Sequence, residues 1–210
     1  MAKEIAAQLL RIGAVSLAPD APYTWASGLK SPIYCDNRLT LSYPDVRSHL
    51  KHAFAQVVKE HFADTQKIAG IATGAIAHGA LLADELNLPF IYIRNKPKEH
   101  GKANLIEGKL IAGEKILVIE DLVSTGSSSI PAVEALRQAG CEVLGLVSIF
   151  SYGFQKAIDN FKAINCPLFS LSNYETLLEV AFAEKAITSE QRADLQNWYQ
   201  EPESWSAKAI

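Results

Sequence analysis

The segment best suited to binding or catalysis has two adjacent carboxylates followed by a hydroxyl-rich turn. The run 116–129 reads ILVIEDLVSTGSSS, so an apolar stretch ends in Glu120 and Asp121 and a turn of Ser, Thr and Gly follows. If a helix begins at that turn, its free backbone N–H groups and hydroxyls would bind phosphate oxygens, and Gly126 would let the backbone approach an anion closely. Carboxylates at the end of the preceding strand can accept hydrogen bonds from vicinal sugar hydroxyls. The order of these groups predicts a site for a ribose phosphate.

The same segment also has a purely structural interpretation. Glu120 and Asp121 could be a solvated strand end, and 124–129 an ordinary helix cap, because Ser and Thr favour such positions. For an arbitrary serine-rich turn, this is the commoner outcome. The full order of parts, an apolar strand, two acidic residues, two aliphatic residues and then Ser-Thr-Gly-Ser-Ser, favours phosphate binding instead.

A second segment concentrates positive charge in an acidic chain. The 210 residues carry a formal net charge of -3, whereas 94–109 contains five Lys or Arg against two Glu. This polar segment lies between two predicted strands and has Gly101 and Gly108 as possible hinges. Alone, it would be interpreted as a solvated surface loop. Together with the carboxylates and the turn, it is typical of a lid that closes over a pyrophosphate and excludes water.

Composition argues against several other classes of protein. The three cysteines, Cys35, Cys141 and Cys166, are too widely spaced for a metal knuckle or a redox pair, and the four histidines outside the charged loop lack metal-ligand spacing. The small net charge argues against nucleic-acid or anionic membrane partners. No apolar run approaches about 18 residues, and the first residues lack a signal-peptide pattern. We expect a cytoplasmic protein.

The elements that must position these groups follow a βαβ rhythm. Helices are predicted at 3–15, 44–62, 75–87 and 127–139, and an irregular, exposed stretch at 19–32. Buried strands are predicted at 67–73, 90–94, 115–122, 143–149 and 168–171. Capping-box patterns at Ser172-x-x-Glu175 and Thr188-x-x-Gln191 predict two terminal helices. This alternation indicates an α/β fold with a mainly parallel, five-stranded central sheet flanked by helices.

The predicted organisation is a single domain with three parts. Residues 1–66 supply N-terminal helices and a small hood segment, 67–171 the α/β core with a mobile loop at about 95–109, and 172–210 the C-terminal helices. A chain of this length can bury one full core, so two separate domains are not required.

Several motifs resemble a known family. The run 116–129 resembles the signature of the type I phosphoribosyltransferases, and KEHG at 98–101 followed by NLIEG at 104–108 resembles the catalytic loop of the orotate phosphoribosyltransferases. SGLKSP at 27–32 is similar to the segment that lies over the base in that family, and 71–75 occupies the place of its pyrophosphate turn. The resemblance covers about 10–171.

The resemblance implies both a fold and a reaction. The fold is that of the type I phosphoribosyltransferases. The reaction transfers ribose 5-phosphate from phosphoribosyl pyrophosphate to orotate, giving orotidine monophosphate and pyrophosphate in UMP synthesis. It implies Mg²⁺ bound through ligand and water rather than through protein side chains. It also implies a homodimer in which each loop closes over the neighbouring subunit's site.

Family motifs also imply residue roles. The catalytic residues implied are Lys98, His100 and Asp121. The residues implied to bind phosphoribosyl pyrophosphate are Arg94, Lys98, His100, Glu120, Asp121, Leu122, Val123, Ser124, Thr125, Gly126, Ser127, Ser128, Thr73 and Gly74. Those implied to bind orotate are Ser124 and Lys30.

The partner of the orotate carboxylate stays open. An arginine that some family members carry after the penultimate strand is absent from 148–154, and Ala26 and Thr73 stand where many members have lysine. Lys30, Arg38 and the backbone near Ser124 are the candidates.

Two other functions compete with this one. A phosphoribosyltransferase for a purine or another base would share the strand and turn but not the KEHG loop or the SGLKSP segment. A non-catalytic regulator would keep the fold and add a basic recognition helix, and the sequence shows no such helix.

Overall fold

The computed structural model describes residues 1–24, 28, 30–94 and 105–205. The strands are β1 (Val15–Leu17), β2 (Tyr23–Thr24), β3 (Lys30–Ser31), β4 (Ile33–Cys35), β5 (Lys67–Ile71), β6 (Phe90–Ile93), β7 (Ile106–Glu107), β8 (Lys115–Val123), β9 (Glu142–Ser151) and β10 (Leu168–Asn173). The helices are α1 (Ala2–Arg11), α2 (Pro44–His61), α3 (Gly74–Leu86), α4 (Ser129–Gln138), α5 (Gln155–Ala163), α6 (Tyr174–Ala183) and α7 (Ser189–Gln200). A 3-10 helix, η1, spans Asn37–Ser42.

Within these residues, six strands form the central sheet in the order β10-β9-β8-β5-β6-β7. The first five are parallel, and β7 pairs antiparallel with β6. The strand β8 lies in the middle and alternates its side chains between two hydrophobic clusters. Leu117 and Ile119 belong to one cluster, and Ile116 and Val118 to the other. Strands buried on both faces are continuously apolar, which explains the ILVI run before the carboxylates.

Helices cover both faces of the sheet. Buried residues of α1, α2, α3, α6 and α7 belong to the cluster on one face, and those of α4 and α5 to the cluster on the other. Because the parallel strands share one direction, the turns at their carboxyl ends lie at one edge. The turns before α3 and α4 are both at that edge, which brings the two predicted anion sites together.

The sheet prediction is confirmed, with differences in its surroundings. The central strands appear within two residues of the predicted ends, and β7 adds an antiparallel edge strand that the sequence did not predict. The stretch 19–32 was wrongly predicted to be irregular, because Tyr23 and Thr24 pair with Ser31 and Lys30 as a short hairpin. The hairpin is too short to show an alternating pattern.

The helix predictions were wrong at three places. The first helix ends at Arg11 rather than at 15, because Gly13 has φ +70 and Val15 begins β1. The helix α5 was missed, because FQKAIDNF has only a short apolar stripe and follows directly on β9. The predicted capping box at Ser172 is also wrong. Asn173 caps α6 by accepting from the Thr176 N–H, whereas the Ser172 hydroxyl donates to the Ala2 carbonyl. The capping box at Thr188 is confirmed.

Candidate active site

Glu120 and Asp121 lie near the carboxyl end of β8, as the sequence predicted. Glu120 is 4% exposed, its Oε2 accepts from the Ser129 hydroxyl at 3.0 Å, and its Oε1 accepts from the Asp121 N–H at 3.1 Å. Burial, and then the negative charge of Asp121, raise the pKa of Glu120 to about 9. In the free protein at neutral pH, this side chain is therefore mainly protonated.

Asp121 is a half-buried residue of β8 and lies next to the first turn of α3. A Cβ built at Gly74 would overlap its carboxylate, so the two residues are in direct contact. The Asn37 Nδ2 donates to the backbone carbonyl of Asp121 at 2.6 Å. The side chain of Asp121 thus contacts α3, and its backbone is bonded to η1.

The hydroxyl-rich turn leads into α4. Gly126 has φ +81, a conformation that favours glycine, and its carbonyl accepts from the Ser129 and Ile130 N–H groups at 3.1 and 2.9 Å. Asn160 donates to the Thr125 carbonyl at 3.0 Å. In the described part of the chain, the N–H groups of 125–128 donate to no protein acceptor. Together with the helix dipole, these free donors form a binding site for an anion.

A second helix begins beside this turn. Thr73 is the exposed N-cap of α3, with no side-chain capping bond, and Gly74 is its first residue. The Ala72–Thr73 peptide bond is cis. The carboxylates of β8 therefore lie near two helix N-termini.

Arg94 follows β6 and reaches the same region. It lines a cavity of about 330 Å³ with Ser127 and Ser128 of the turn. Its Nη1 is 3.6 Å from Oε1 of Glu107. Arg94, which the sequence predicted to bind pyrophosphate, thus lies next to the hydroxyl-rich turn.

A larger cavity of about 760 Å³ adjoins the other side of the turn. Ser124 and Thr125 form one wall, and Phe154 and Tyr199 are stacked at 5.6 Å between ring centroids in another. The Tyr199 hydroxyl donates to the Gly153 carbonyl at 2.7 Å, which ties α7 to this wall. Sequence reasoning missed these aromatic residues as cavity walls, because nothing in their spacing relates them to the turn.

The remaining predicted residues have different positions. Leu122 and Val123 pair with Phe150 and Ser151 of β9 and support the turn through their backbone. Lys30 is exposed, donates to the Thr24 hydroxyl at 2.7 Å, and does not line the Ser124 cavity. Lys98 and His100 lie outside the described residues.

Arg38 contacts an acidic neighbour on the hood. Its guanidinium donates to both oxygens of Asp36 at 2.7 and 2.9 Å. The side-chain hydrogen bond to Arg38 lowers the pKa of Asp36. An orotate carboxylate would have to share or displace this partner.

Known proteins match this chain over nearly its whole length. A model of the phosphoribosyl transferase domain matches residues 41–180. The orotate phosphoribosyltransferase of Phocaeicola vulgatus is 53% identical over 205 residues, which are 98% of this chain and 97% of that protein. The enzyme of the same name from Bacillus cytotoxicus is 53% identical over 98% of this chain and 99% of its own. The chain belongs to the orotate phosphoribosyltransferase family.

Solved structures of this family have the same fold. The orotate phosphoribosyltransferase of Aeropyrum pernix has a TM-score of 0.75 at 28% identity, covering 83% of this chain and 96% of its own. The UMP synthase of Leishmania donovani has a TM-score of 0.80 at 30% identity over 95% of this chain, which spans 42% of that longer protein. The predicted family, fold and pentosyltransferase class are confirmed.

Proposed function

We propose that the carboxyl edge of the sheet catalyses transfer of ribose 5-phosphate from phosphoribosyl pyrophosphate to orotate. The observation that carries this proposal is the contact between Asp121 and Gly74. This contact supports the proposal because it puts a carboxylate suited to sugar hydroxyls beside the N-terminus of α3, while the turn that follows β8 leads to the N-terminus of α4. Phosphoribosyl pyrophosphate fits better here than a free base or a simple phosphate.

Each part of the substrate has a matching part of the site. The 5-phosphate binds the free N–H groups of 125–128, and Glu120 and Asp121 bind the ribose hydroxyls. The pyrophosphate binds at Thr73, Gly74 and Arg94, joined by Lys98 and His100. The base occupies the cavity beside Ser124.

The chemistry is mainly electrostatic. A ring nitrogen of orotate forms a bond to the anomeric carbon while the bond from that carbon to pyrophosphate oxygen breaks, with inversion. The ring nitrogen's proton leaves to water, since this electron-poor ring needs no dedicated base. Asp121 stabilises positive charge on the ribose, and the backbone amides and Arg94 stabilise the negative charge of the leaving group.

Mg²⁺ fits this arrangement through oxygen ligands. In the described residues, no group of three or more His, Cys, Asp or Glu side chains comes together to hold a metal ion. The half-buried carboxylate of Asp121 would accept hydrogen bonds from the waters that such an ion keeps, so the ion needs no direct protein ligand. When bound with the substrate, Mg²⁺ would neutralise charge on the pyrophosphate.

The proposal extends to a homodimer in the cytoplasm. Tyr34, Leu39 and Tyr43 are exposed hydrophobic residues close together in the chain at the hood, and a second copy of the chain would cover them. Such a dimer would bring the loop of one subunit to the site of its partner. No described helix is long and apolar enough to cross a membrane.

The test is the loss of orotate absorbance on mixing with Mg²⁺ and phosphoribosyl pyrophosphate, with uracil and adenine as parallel substrates. Rapid loss with orotate alone is expected, and a chelator should abolish it. Turnover of adenine alone would identify a purine enzyme. Silence with all three bases would contradict a catalytic function.

A further inference from the structure

Beyond the carboxylates, one buried residue of the hood contacts the reaction site from outside the sheet. Asn37, the first residue of η1, is 1% exposed. Its amide donates to the carbonyl of Asp121, a residue 84 positions away in the chain. The site motifs do not include it, and its neighbours Cys35 and Asp36 gave no reason to select it.

The need for this bond follows from the sheet. The strand β8 extends beyond its neighbour, because its last pairing with β5 joins Ile119 to Gly70. The Lys115 carbonyl faces the β5 side, where it accepts from the Gln66 N–H at 2.9 Å. Main-chain groups alternate along a strand, so those of Asp121 face the same side beyond the end of the β5 pairing.

Two side chains satisfy these main-chain groups in place of a strand. The Asp121 N–H donates to Oε1 of Glu120 at 3.1 Å, and the Asp121 carbonyl accepts from Asn37 at 2.6 Å. An unpaired buried carbonyl would be costly, so this geometry fixes the backbone of Asp121. The direction in which its carboxylate leaves the strand is fixed with it.

Asn37 is itself held by the core helix α3. The Thr40 hydroxyl donates to the Asn37 carbonyl at 2.5 Å and is 3.1 Å from Nε2 of His78. Because the hydroxyl has one proton and gives it to Asn37, the Nε2 of His78 must carry a hydrogen and donate to Thr40. Burial lowers the pKa of His78 to about 4, so the ring is neutral at pH 7. His78, Thr40, Asn37 and Asp121 form one continuous chain of hydrogen bonds, which we name the hood bridge.

We propose that Asn37 is a positioning residue, which acts through the hood bridge to aim the Asp121 carboxylate at the ribose hydroxyls. The inference rests on the proposed function only in assigning the ribose to Asp121. Asn37 needs no contact with the substrate. Its loss should affect recognition of the sugar and leave the hydroxyl-rich turn at 124–128, which leads into α4, unchanged.

The test compares two ligands that differ only in the sugar. Asn37→Leu keeps a similar shape but removes the donor. Titration calorimetry should show ribose 5-phosphate binding about fivefold weaker or more, while inorganic phosphate binding stays within about twofold. In the same variant, the KM for phosphoribosyl pyrophosphate should rise and the KM for orotate should not.

A matched control removes another buried hydrogen bond remote from the site. Ser172 is fully buried and donates to the Ala2 carbonyl at 3.0 Å, so Ser172→Ala should lower stability without changing either affinity. An equal loss of both affinities in Asn37→Leu would show a merely structural role and overturn the proposal. Unchanged ribose 5-phosphate binding would also overturn it.

A second variant covers the case in which Asn37→Leu does not fold. Thr40→Val removes the hydroxyl that holds Asn37 and should give the same ligand pattern with a smaller effect, whereas a normal ribose 5-phosphate affinity would overturn the proposal. The binding experiment uses no base. A protein that turned over another base would contradict the proposed substrate while the hood bridge passed its own test.

Discussion

The carboxylate of Asp121 lies against the backbone of Gly74, so closely that a methyl group at position 74 would overlap it. The contact joins the end of β8 to the beginning of α3. It brings together the carboxylate that we propose binds the sugar and the helix end that we propose binds the pyrophosphate. The requirement for glycine here comes from this close approach, since Gly74 has no left-handed conformation.

Gly74→Ala should therefore damage substrate binding more than stability. The added methyl must displace the Asp121 carboxylate, so the KM for phosphoribosyl pyrophosphate should rise by about tenfold or more, measured by initial rates. Gly79→Ala is the matched control in the same helix, where the methyl would meet the ring of Phe90 at 2.8 Å. It should lower the melting temperature with a normal KM. Equal KM values in the two variants would contradict the proposed contact.

Glu120 should make stability fall as pH rises. Its pKa is raised on folding, so the native state retains a proton that the unfolded chain loses, and stability falls between about pH 4.5 and 9. One such group contributes up to about 1.4 kcal/mol per pH unit. The free energy of unfolding in urea should fall less between pH 6 and pH 8 for Glu120→Gln than for the unchanged protein. The exposed Glu134→Gln is the control, and parallel stability curves for all three proteins would refute the expectation.

Tyr199 should affect the base more than the sugar. Tyr199→Phe removes the hydrogen bond to the Gly153 carbonyl in the wall of the cavity that Ser124 lines. We expect the KM for orotate to rise severalfold, with the KM for phosphoribosyl pyrophosphate little changed. The control is Tyr174, whose ring stacks on Tyr199 but does not line that cavity, because Tyr174→Phe removes a comparable bond to the Leu195 carbonyl at 3.0 Å. If both variants had the same KM for orotate, Tyr199 would have no part in the base site.

The ion pair of Lys67 and Glu114 should stabilise the folded state more than the neighbouring surface pair of Lys115 and Asp64 does. Lys67 is 3% exposed and donates to Glu114 and to the Lys109 carbonyl. Glu114→Ala would leave the charge of Lys67 buried without a counterion. The free energy of unfolding in chemical denaturation should fall by about 3–5 kcal/mol.

The neighbouring pair provides the control for that measurement. Asp64 contacts Lys115 at 2.8 Å on the surface, where solvent screens the pair, so Asp64→Ala should lower the free energy of unfolding far less than Glu114→Ala does. Similar losses for Glu114→Ala and Asp64→Ala would show that burial does not decide the contribution of the Lys67 pair.

Local patterns in the chain were enough to predict the sheet and the order of the chemical groups along it. An uninterrupted apolar run such as ILVI before Glu120 predicts a strand buried on both faces, and Gly126 within a serine-rich turn predicts a close approach to an anion. These features are local, because periodicity and turn chemistry act within a few residues. The pairing of 23–24 with 30–31 was too short, and α5 too weakly patterned, to be predicted.

Which distant residues complete the site depends on packing between elements that lie far apart in the chain. Asn37 and Asp121 meet because β8 extends past its pairing with β5 and leaves a carbonyl that needs a donor. Tyr199 reaches the cavity because α7 packs back against the turn after β9. Neither contact has a spacing signal in the chain, since each depends on how the sheet ends and which helix covers it. Local sequence therefore predicts the polar groups of the site, whereas packing between distant elements determines which residues hold those groups in place.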